Sequence, residues 1–432
     1  MAERILPVKG TRVLLPPASD VWAAVEATAR RVFATYGFGE IRTPIVEHTE
    51  LFVRSVGETS DIVGKEMYSF EDRKGRRLSL RPEGTAPVVR AFVDEGLATG
   101  ALPQRLYYIG PYFRYERPQR GRYRQFHQIG AEILGDPGPL SDAELIAMLM
   151  RFLGELGHEG LTVLINTVGD TASRKRFRQA LVDYLAPHHD SLSEASRQRL
   201  DTNPLRILDS KSRADREILA GAPRLEEHLS DGSRRHFEAV LGSLESRGIA
   251  VERSPHLVRG LDYYTRTVFE IVSSDLGAQD AIVGGGRYDG LVGELGGPDL
   301  PAIGFAIGQD RLIETLPPGF AEAHAAERGV MLVPIGDDCA GPAFDLAERL
   351  RDAGCAVVLE SPDRGLKKSM RLADRLDLRR ILLLGEDELA ISSVTLRDLA
   401  TGEQETIGLD EVISRLGTIS RSGAETAPGD SP

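Results

Sequence analysis

Residues 104–135, QRLYYIGPYFRYERPQRGRYRQFHQIGAEILG, predict two β-strands joined by an arginine-rich loop. Alternate residues of a strand share a face, so a period of two sorts the side chains into two rows. The polar and aromatic row contains Tyr108, Gly110, Tyr112, Arg114, Phe126, Gln128, Gly130 and Glu132. The small and apolar row of the second strand contains Ile129, Ala131 and Ile133. This stretch therefore predicts a hairpin with one polar face and one apolar face.

The loop of this hairpin, RYERPQRGR, contains four arginines and one glutamate around a proline and a glycine. Such a composition suits an exposed turn that presents guanidinium groups. The simpler interpretation is a solvated surface hairpin whose arginines only keep an edge strand soluble. We favour an anion-binding hairpin, because Arg114, Gln128 and Glu132 project from the face where a core or a pocket must lie.

The length and charge of the chain limit its domain number and its partners. At 432 residues it is long enough for two or three domains, each with its own core. It has 53 Lys and Arg against 65 Asp and Glu, which gives a net charge of −12. Because an acidic chain repels polyanions, any nucleic acid must bind at local basic patches. The densest such patch is the loop from Arg114 to Arg124.

Cysteine usage and hydropathy indicate the compartment. Cys339 and Cys355 are the only cysteines, too few for a disulfide framework or a zinc ribbon, which fits a reducing compartment. No apolar run approaches the length of a membrane span, and the amino terminus has no signal-peptide pattern. These observations predict a soluble, cytoplasmic protein that does not enter a membrane.

The segment before the hairpin predicts packing elements and one functional turn. Apolar spacing over residues 21–36 predicts an amphipathic packing helix. The next segment is extended around Pro44, which predicts an edge or interface strand and a dimer contact there. A further hairpin then leads into a helix that begins near Thr85 or the residue after it.

Glu83, Gly84 and Thr85 lie on this strand-to-helix turn. Backbone N–H groups, a carboxylate and a hydroxyl come close together at such a turn. Ordinary helix capping is one interpretation. We favour a binding role, because Glu83 stands before the cap rather than at its third turn position.

The middle of the chain changes character. Residues 171–250 are charged and helix-rich and lack strand alternation, which predicts a helical insertion in a sheet domain. His188 and His189 are adjacent, so on a helix they point about 100° apart and do not share a metal ion. After the insertion, strand alternation predicts two faces. Tyr264, Arg266 and Val268 share one face, and Tyr263, Thr265 and Thr267 share the other.

Two glycine-containing runs follow. AIVGGGRYDGLV (281–292) invites a dinucleotide-binding interpretation, which the spacing of its glycines argues against. LPAIGFAIGQDRLIETL (300–316) predicts a strand and then a helix whose first turn carries Asp310 and Arg311. An arginine at that end of a helix dipole needs an anionic partner. A ligand and a salt bridge with Asp310 or Glu314 are equally good candidates.

The last part of the chain predicts a separate domain. Three short apolar runs, VMLVPI, CAVVLE and RILLLG, alternate with helical patterns. That order predicts a compact α/β domain with a mainly parallel sheet over residues 329–416. The tail from Gly417, rich in Ser, Gly and Ala, is predicted to be disordered.

Taken together, these segments make the chain similar to the histidyl-tRNA synthetases, a family in the second class of aminoacyl-tRNA synthetases. The resemblance covers residues 5–416. FRYERPQRGRYRQFHQIGAE resembles the second signature of the class, GFAIGQDR the third, and the segment around Pro44 the first. RGLDYYTRTVFE and GGGRYDGL resemble two signatures peculiar to the histidine enzymes.

This resemblance implies an α+β fold, with an antiparallel six-stranded catalytic sheet flanked by helices. It implies a catalytic domain in two parts, 1–170 and 251–320, around the helical insertion at 171–250. A C-terminal α/β anticodon-binding domain at 329–416 and the tail at 417–432 complete the chain. The resemblance also implies a homodimer that uses ATP with Mg²⁺ and has no permanent metal or prosthetic group.

The implied reaction ligates L-histidine to tRNA(His) through a histidyl-adenylate. The positions that match the family's histidine-binding motifs are Glu83, Gly84, Thr85, Arg114, Gln128, Glu132, Arg259, Tyr263 and Tyr264. The positions that match its ATP-binding motifs are Arg114, Glu116, Arg122, Phe126 and Arg311, with Phe126 stacked on adenine. Arg259, Arg114 and Gln128 are the implied catalytic residues, and Arg117, Gln119 and Arg120 are assigned to the tRNA acceptor end.

The chemistry of the implied first step agrees with this set. The carboxylate of histidine attacks the α-phosphorus in line, so two anions must be brought together and charge must be spread over phosphoryl oxygens. Arginines stay ionised and form fork-shaped hydrogen bonds, which suits that task. The two imidazole nitrogens would be distinguished by Glu132 and Tyr264.

One alternative comes from another functional class. A regulatory subunit of ATP phosphoribosyltransferase, in histidine biosynthesis, resembles the catalytic domain without catalysing the ligation. Such subunits usually lack the terminal domain and have degraded signatures. This chain keeps Arg259, the RGLDYYTRT stretch and the segment from Val330 onward, which favours the ligase.

Overall fold

The computed structural model describes residues 5–57, 60–117, 121–202, 204–210, 212–255, 257, 263–273, 281–324 and 329–422. Contacts divide the chain into two units, residues 1–324 and 325–432. The strands of the described part are Gly39–Glu40 (β1), Val46–His48 (β2), Ser69–Glu71 (β3), Arg77–Leu80 (β4), Gln104–Phe113 (β5), Gln125–Leu134 (β6), Leu161–Thr167 (β7), Val251–Arg253 (β8), Thr265–Ser273 (β9), Ala281–Arg287 (β10), Ala302–Gly308 (β11), Val330–Pro334 (β12), Val357–Leu359 (β13), Arg380–Leu384 (β14), Ser393–Asp398 (β15) and Gln404–Gly408 (β16). Its α-helices are Ala18–Thr35 (α1), Thr49–Val56 (α2), Thr85–Asp94 (α3), Pro139–Glu155 (α4), Thr171–Leu185 (α5), Glu194–Thr202 (α6), Arg213–Leu219 (α7), Asp231–Glu245 (α8), Leu291–Glu294 (α9), Gln309–Glu314 (α10), Phe320–Ala323 (α11), Ala340–Asp352 (α12), Leu366–Arg375 (α13), Glu386–Ala390 (α14) and Leu409–Ser422 (α15).

The main sheet of the first unit has eight strands in the order β1-β5-β6-β11-β10-β9-β7-β8 within the described residues. The edge strands β1 and β8 pair in parallel with their neighbours, and the six strands between them pair antiparallel. The expected six-stranded antiparallel sheet is therefore wrong, since the sheet is mixed and larger. Strands of two and three residues are too short to show a sequence period, so neither edge strand could be recognised.

The hairpin that the sequence predicts is formed by β5 and β6. Its register pairs Tyr108 with Gly130 and Gly110 with Gln128, which places the predicted polar row on one face. On the opposite face, Ile129 and Ile133 have no exposed surface and join a core built with α1, α4 and α8. Helix α1 also forms as its spacing predicts, with its apolar stripe in this core. The apolar face of the hairpin thus anchors the sheet, and its polar face is left for a pocket.

The alternation predicted around Tyr263 is interrupted at Arg266. The φ of Arg266 is 48°, in the left-handed region that side-chain-bearing residues seldom adopt. The pairing of β9 with β10 shifts register between Gly286 and Arg287. The ring centroids of Tyr263 and Tyr264 are 4.8 Å apart. These two side chains therefore do not point to opposite faces. The glycines of GGGR lie inside strand β10 and not in a phosphate-binding turn.

The stretch from residue 171 to residue 250 contains α5, α6, α7 and α8 and has no strand among its described residues. Its small apolar core includes Phe177, Leu181 and Leu185 from α5. Asp170 caps α5 by accepting from Ser173 N at 2.8 Å, and it also accepts from Ser230 at the start of α8. The two ends of the helical stretch are therefore joined to each other where they leave the sheet.

The second unit contains a five-stranded sheet in the order β13-β12-β14-β15-β16. Strand β12 pairs in parallel with β13 and β14, whereas β14, β15 and β16 pair antiparallel. The expectation of a mainly parallel sheet is wrong for the last two strands, because SVTLRD and QETIG alternate and form no apolar run. Helix α15 extends to Ser422, into the first residues of the segment 417–432 that was predicted to be a disordered tail. Residues 423–432 lie outside the described part.

Candidate active site

Glu132 lies at the centre of the polar face of the hairpin and has no exposed surface. Its Oε1 accepts hydrogen bonds from Thr85 Oγ1 at 2.9 Å and from the Tyr108 hydroxyl at 3.2 Å. Its Oε2 accepts a hydrogen bond from the Tyr288 hydroxyl at 2.5 Å. Three hydroxyl donors from α3, β5 and the end of β10 therefore fix one carboxyl group.

The pKa values in this cluster follow from burial. Burial raises the pKa of the Glu132 carboxyl to about 8, although the hydroxyl hydrogen bonds oppose that rise. Burial also raises the pKa of Tyr108 and Tyr288 well above that of a free phenol. These two tyrosines therefore stay neutral and act as hydroxyl donors at any working pH.

Glycines make room for this cluster. A Cβ on Gly304 of β11 would lie 1.4 Å from Glu132 Oε2. Cβ atoms on Gly84 and Gly130 would lie 2.4 Å and 2.3 Å from the Tyr108 ring. The ring of Tyr108 is thus held between the strand-to-helix turn and β6, and each of these positions excludes a side chain.

Glu83 caps helix α3. It is buried, and its two carboxylate oxygens accept from Thr85 N at 2.8 Å and from Ala86 N at 2.9 Å. Burial raises the pKa of this carboxyl, against the two backbone hydrogen bonds. The capping interpretation thus accounts for the contacts of Glu83 in the ligand-free chain, while Thr85 joins the same turn to Glu132.

Gln128 presents an unpaired acceptor to this face. The residue is 8% exposed, and within the described part of the chain its buried Oε1 atom has no hydrogen-bond partner. A buried polar atom without a partner is costly, so such an atom is a good candidate for ligand contact.

Tyr263 and Tyr264, just before β9, lie beside Tyr288 of the Glu132 cluster. The ring of Tyr263 packs against those of Tyr264 and Tyr288, with centroids 4.8 Å and 5.5 Å apart. A Cβ on Gly286 would come within 2.8 Å of the Tyr264 ring, so this ring lies against the bare backbone of β10. The two tyrosines expected to bind one ligand are therefore neighbours.

Tyr288 is placed by the residue before it. Arg287 is fully buried, and its guanidinium donates to Asp142 Oδ1 at 3.0 Å and to the carbonyl oxygen of Asp136 at 2.8 Å. Asp142 in turn contacts His236 Nε2 of α8 at 2.8 Å. This buried ionic cluster fixes the end of β10, and with it the hydroxyl that reaches Glu132.

Arg114 and Phe126 lie together at the loop end of the hairpin. The Arg114 guanidinium carbon is 5.3 Å from the Phe126 ring centroid, and its Nε donates to the carbonyl oxygen of Pro82 at 2.8 Å. Glu116 lies 3.9 Å from Arg114 Nη1 and 3.7 Å from Arg122 Nη1. An aromatic ring and two guanidinium groups suit a base and its phosphates.

Arg311 lies in the first turn of α10, as its sequence position predicts. A Cβ on Gly121 would be 4.0 Å from Arg311 Cβ, so Arg311 stands beside the arginine loop. Asp310 forms its ion pair with Arg12 at 2.6 Å, and accepts from His127 N at 2.8 Å. The first turn of α10 is therefore fixed to the start of β6.

The remaining sequence-predicted residues are one loop residue and three that the structure does not describe. Arg117 is exposed on the loop. Arg259, Gln119 and Arg120 lie outside the described residues.

The structure adds residues that the sequence interpretation missed as functional. Tyr108 was assigned to the polar row but given no role, although its position opposite Gly130 was a usable signal. Tyr288 and Arg12 reach the site over 156 and 298 residues of sequence, and local periodicity carries no signal for such contacts.

A family model described as histidyl-tRNA synthetase matches residues 10–312, and one described as an anticodon binding domain matches residues 329–419. The chain belongs to the histidyl-tRNA synthetase family. It is 50% identical over 414 residues to the histidine–tRNA ligase of Rhodospirillum rubrum, covering 95% of this chain and 99% of that one.

Solved structures of this family have a similar fold. The apo histidyl-tRNA synthetase of S. aureus matches with a TM-score of 0.80 and 35% identity, over 96% of this chain and 100% of that chain. An ATP phosphoribosyltransferase regulatory subunit/histidyl-tRNA synthetase of Bacillus halodurans matches with a TM-score of 0.65 and 25% identity, over 89% and 99%.

The described part of the chain lacks two features, a cluster of metal ligands and a membrane-spanning helix. Among its described residues, no group of three or more His, Cys, Asp or Glu side chains is arranged to hold a metal ion. None of the helices in that part of the chain combines the length and apolar character needed to cross a membrane.

Proposed function

We propose that this chain ligates L-histidine to tRNA(His), using ATP and passing through a histidyl-adenylate. The observation that supports this most directly is the enclosed carboxyl of Glu132 on the same sheet face as Arg114 and Phe126, in a chain of this family. One end of that face suits an imidazole ring, and the other suits a nucleotide.

In the first step, a carboxylate oxygen of histidine bonds to the α-phosphorus of ATP and the bond to pyrophosphate breaks. Arg114, Arg259 and Arg311 spread the developing charge, since arginine forks bind phosphoryl oxygens while remaining ionised. Phe126 stacks on the adenine, and Glu116 and Arg122 complete the ATP site. Mg²⁺ arrives with ATP as part of that substrate, bound mainly through phosphate oxygens.

Histidine is recognised through its ring nitrogens and its charged groups. Glu132 accepts a hydrogen bond from one imidazole nitrogen, and Tyr264 meets the other. Because Glu132 has no exposed surface, the ring reaches it by replacing one of the tyrosine hydroxyls. Glu83, Gly84, Thr85, Gln128 and Tyr263 form the rest of this subsite, where the unpaired Gln128 oxygen gains a partner.

In the second step, the histidyl group passes to the terminal adenosine of tRNA(His) and AMP leaves. Arg117, Gln119 and Arg120 approach the acceptor end, because the whole chain is acidic and this loop is its densest basic patch. The second unit, residues 325–432, binds the anticodon. We place these events in the cytoplasm.

A homodimer is part of this proposal. Ile45, Val46 and Phe70, which lie next to or in the small sheet β2-β4-β3, are each at least 41% exposed. Strand β2 is an edge strand, and exposed apolar edges are typical of interfaces.

The regulatory-subunit alternative is not favoured. The 50% identical relative named as a ligase is matched over 99% of its length, and the C-terminal domain of this chain is present. The likeness to the Bacillus halodurans protein, whose name includes the regulatory subunit, is weaker than the likeness to the S. aureus synthetase, with 25% against 35% identity.

Pyrophosphate exchange tests the proposal. Labelled pyrophosphate should enter ATP only when L-histidine is present, and the same preparation should then charge tRNA(His) but not other tRNAs. Absence of histidine-dependent exchange in a folded preparation would contradict the proposal. Exchange without charging would limit the proposal to adenylate formation.

A further inference from the structure

Arg174, in the first turn of α5, joins the helical stretch to Tyr264, the residue just before β9. Its Nη1 donates a hydrogen bond to the backbone carbonyl oxygen of Tyr264 at 2.9 Å. The side chain is half-buried, so water competes with this contact less than on an open surface. A planar guanidinium holds such a carbonyl in a defined direction.

The backbone next to Tyr264 has an unusual conformation that these contacts maintain. Arg266 has a φ of 48°, and its N–H donates to the carbonyl oxygen of Gly169 at 2.8 Å. Val168 N donates to the carbonyl oxygen of Arg266 at 2.7 Å. The segment that enters α5 is therefore hydrogen-bonded to the segment that follows Tyr264, and Arg174 adds a third attachment.

The ring of Tyr264 is confined on its other side. A Cβ on Gly286 would come within 2.8 Å of a ring carbon, so the ring packs on the backbone of β10. Burial raises the pKa of Glu294 in α9, and the positive charge of the Arg174 guanidinium opposes that rise. The Tyr264 ring therefore rests on β10 while its backbone carbonyl is held from α5, and loss of the Arg174 contact frees the backbone that positions the Tyr264 hydroxyl.

We propose that Arg174 is a positioning residue for histidine recognition, acting through the backbone of Tyr264. Helix α5 then contributes to amino-acid selection without touching the amino acid. This inference rests on the proposed function, in which Tyr264 meets the imidazole of the substrate.

Arg176, two residues further along α5, provides a matched control. Its Nη2 donates to the carbonyl oxygen of His228 at 2.8 Å, a contact that stays within the helical stretch. Arg174→Ala and Arg176→Ala therefore each remove one guanidinium–carbonyl hydrogen bond from the same helix. Only Arg174→Ala removes a contact to the backbone of Tyr264.

Steady-state pyrophosphate exchange on the full chain tests the inference, with KM measured separately for histidine and for ATP. Arg174→Ala should raise the KM for histidine about tenfold, the size expected from one lost hydrogen bond to a charged group, and leave the KM for ATP within about twofold. Arg174→Lys, which keeps a single donor, should give an intermediate value. Arg176→Ala should leave both constants at the wild-type values.

Three outcomes would overturn the inference: an unchanged KM for histidine in Arg174→Ala, equal rises for histidine and ATP, or the same rise in Arg176→Ala. Should Arg174→Ala fail to fold, Arg174→Gln keeps a neutral donor and carries the same comparison. Absence of histidine-dependent exchange in the wild-type chain would instead contradict the proposed function, so the two failures are distinguishable.

Discussion

The Glu132 carboxyl joins three side chains of the fold, and in the proposed function the same group also binds histidine. A carboxylate has about four acceptor positions, and Thr85, Tyr108 and Tyr288 occupy three of them. The same burial that makes these hydrogen bonds strong also penalises the charged form. A ligand that donates a hydrogen bond to this carboxyl group is therefore bound more strongly here than at an exposed carboxyl group, because water is excluded from the site.

Replacing Glu132 by glutamine should weaken histidine far more than ATP. Glutamine keeps the shape but cannot ionise when an imidazole N–H group binds, and a hydrogen bond to a charged group contributes about 1.5–3 kcal/mol. The KM for histidine in pyrophosphate exchange should rise about 10- to 100-fold, with the KM for ATP nearly unchanged.

Glu144→Gln is the control for this substitution. Glu144 is an acidic residue of α4 whose ion pair with Arg105 lies on the opposite face of the hairpin from Glu132. Its two KM values should match those of the wild type. Equal rises for histidine and ATP in Glu132→Gln would show that Glu132 supports the site as a whole.

The same substitution predicts a pH-dependent stability difference. The pKa of Glu132 is about 8 in the folded chain against 4.5 for an unperturbed carboxyl. Between these values the folded state holds a proton that the unfolded state has lost, so the free energy of unfolding falls as pH rises. Glutamine does not titrate. The Tm of Glu132→Gln minus that of the wild type should therefore grow from about pH 5 to about pH 8 and then level off.

Thermal unfolding of the two ligand-free proteins across that pH range provides the measurement. Glu83 also has a raised pKa but is present in both proteins, so its contribution largely cancels in the difference. A Tm difference that stayed constant, or that shrank with rising pH, would contradict a buried, protonated Glu132.

The sequence could indicate part of this site and not the rest. Gln128 and Glu132 were found because a period of two is a local property of one strand. Tyr288 could not be given a hydroxyl contact, since the atoms that receive it lie 156 residues away. The ion pair of Asp310 had no local signal either, because its partner is Arg12, 298 residues earlier.

At the scale of elements, the turn from β4 into α3 is capped by Glu83, and the proposed function assigns ligand contact to the same residue. Glu83 accepts from two backbone N–H groups, which is sufficient reason for its presence. Its negative charge also suits the ammonium group of an amino acid. The two roles separate if one substitution keeps an acceptor and another removes it.

Glu83→Gln and Glu83→Ala should therefore differ in stability but not in binding. Glutamine keeps one acceptor for the helix, whereas alanine keeps none and should lower the free energy of unfolding by about 1 kcal/mol. Both substitutions remove the charge, so both should raise the KM for histidine. Urea unfolding and pyrophosphate exchange give the two quantities, and an unchanged KM in Glu83→Gln would leave capping as its whole role.

Elements were predicted well where a period was long and poorly where it was short or broken. Strands β5 and β6 each have ten residues, and their faces follow the alternation. Strands β1 and β8 have two and three residues and were missed, which is why the size of the sheet was wrong. The bulge at Arg266 depends on tertiary hydrogen bonds, in which Val168 N donates to the Arg266 carbonyl and Arg266 N donates to the Gly169 carbonyl, and a local pattern cannot show them.

At the scale of the whole molecule, the two units have separate cores. The first unit contains every described residue of the candidate site. The second has its own apolar cluster, which includes Val330, Leu346, Leu382 and Val412 from strands and helices of that unit. Adenylate formation and anticodon contact are therefore expected to depend on different parts of the chain.

A chain that ends at residue 324 tests this division of labour. Because the sheet, the Glu132 cluster and the arginine loop all lie in the first unit, the shortened chain should retain histidine-dependent pyrophosphate exchange. Without the second unit, kcat/KM for tRNA(His) should fall about 100-fold, equivalent to about 2.8 kcal/mol of lost binding. Circular dichroism and unfolding curves control for folding of the shortened chain. If exchange were lost with charging in a folded product, the second unit would be required for the chemistry itself, and the assignment of adenylate formation to the first unit would be wrong.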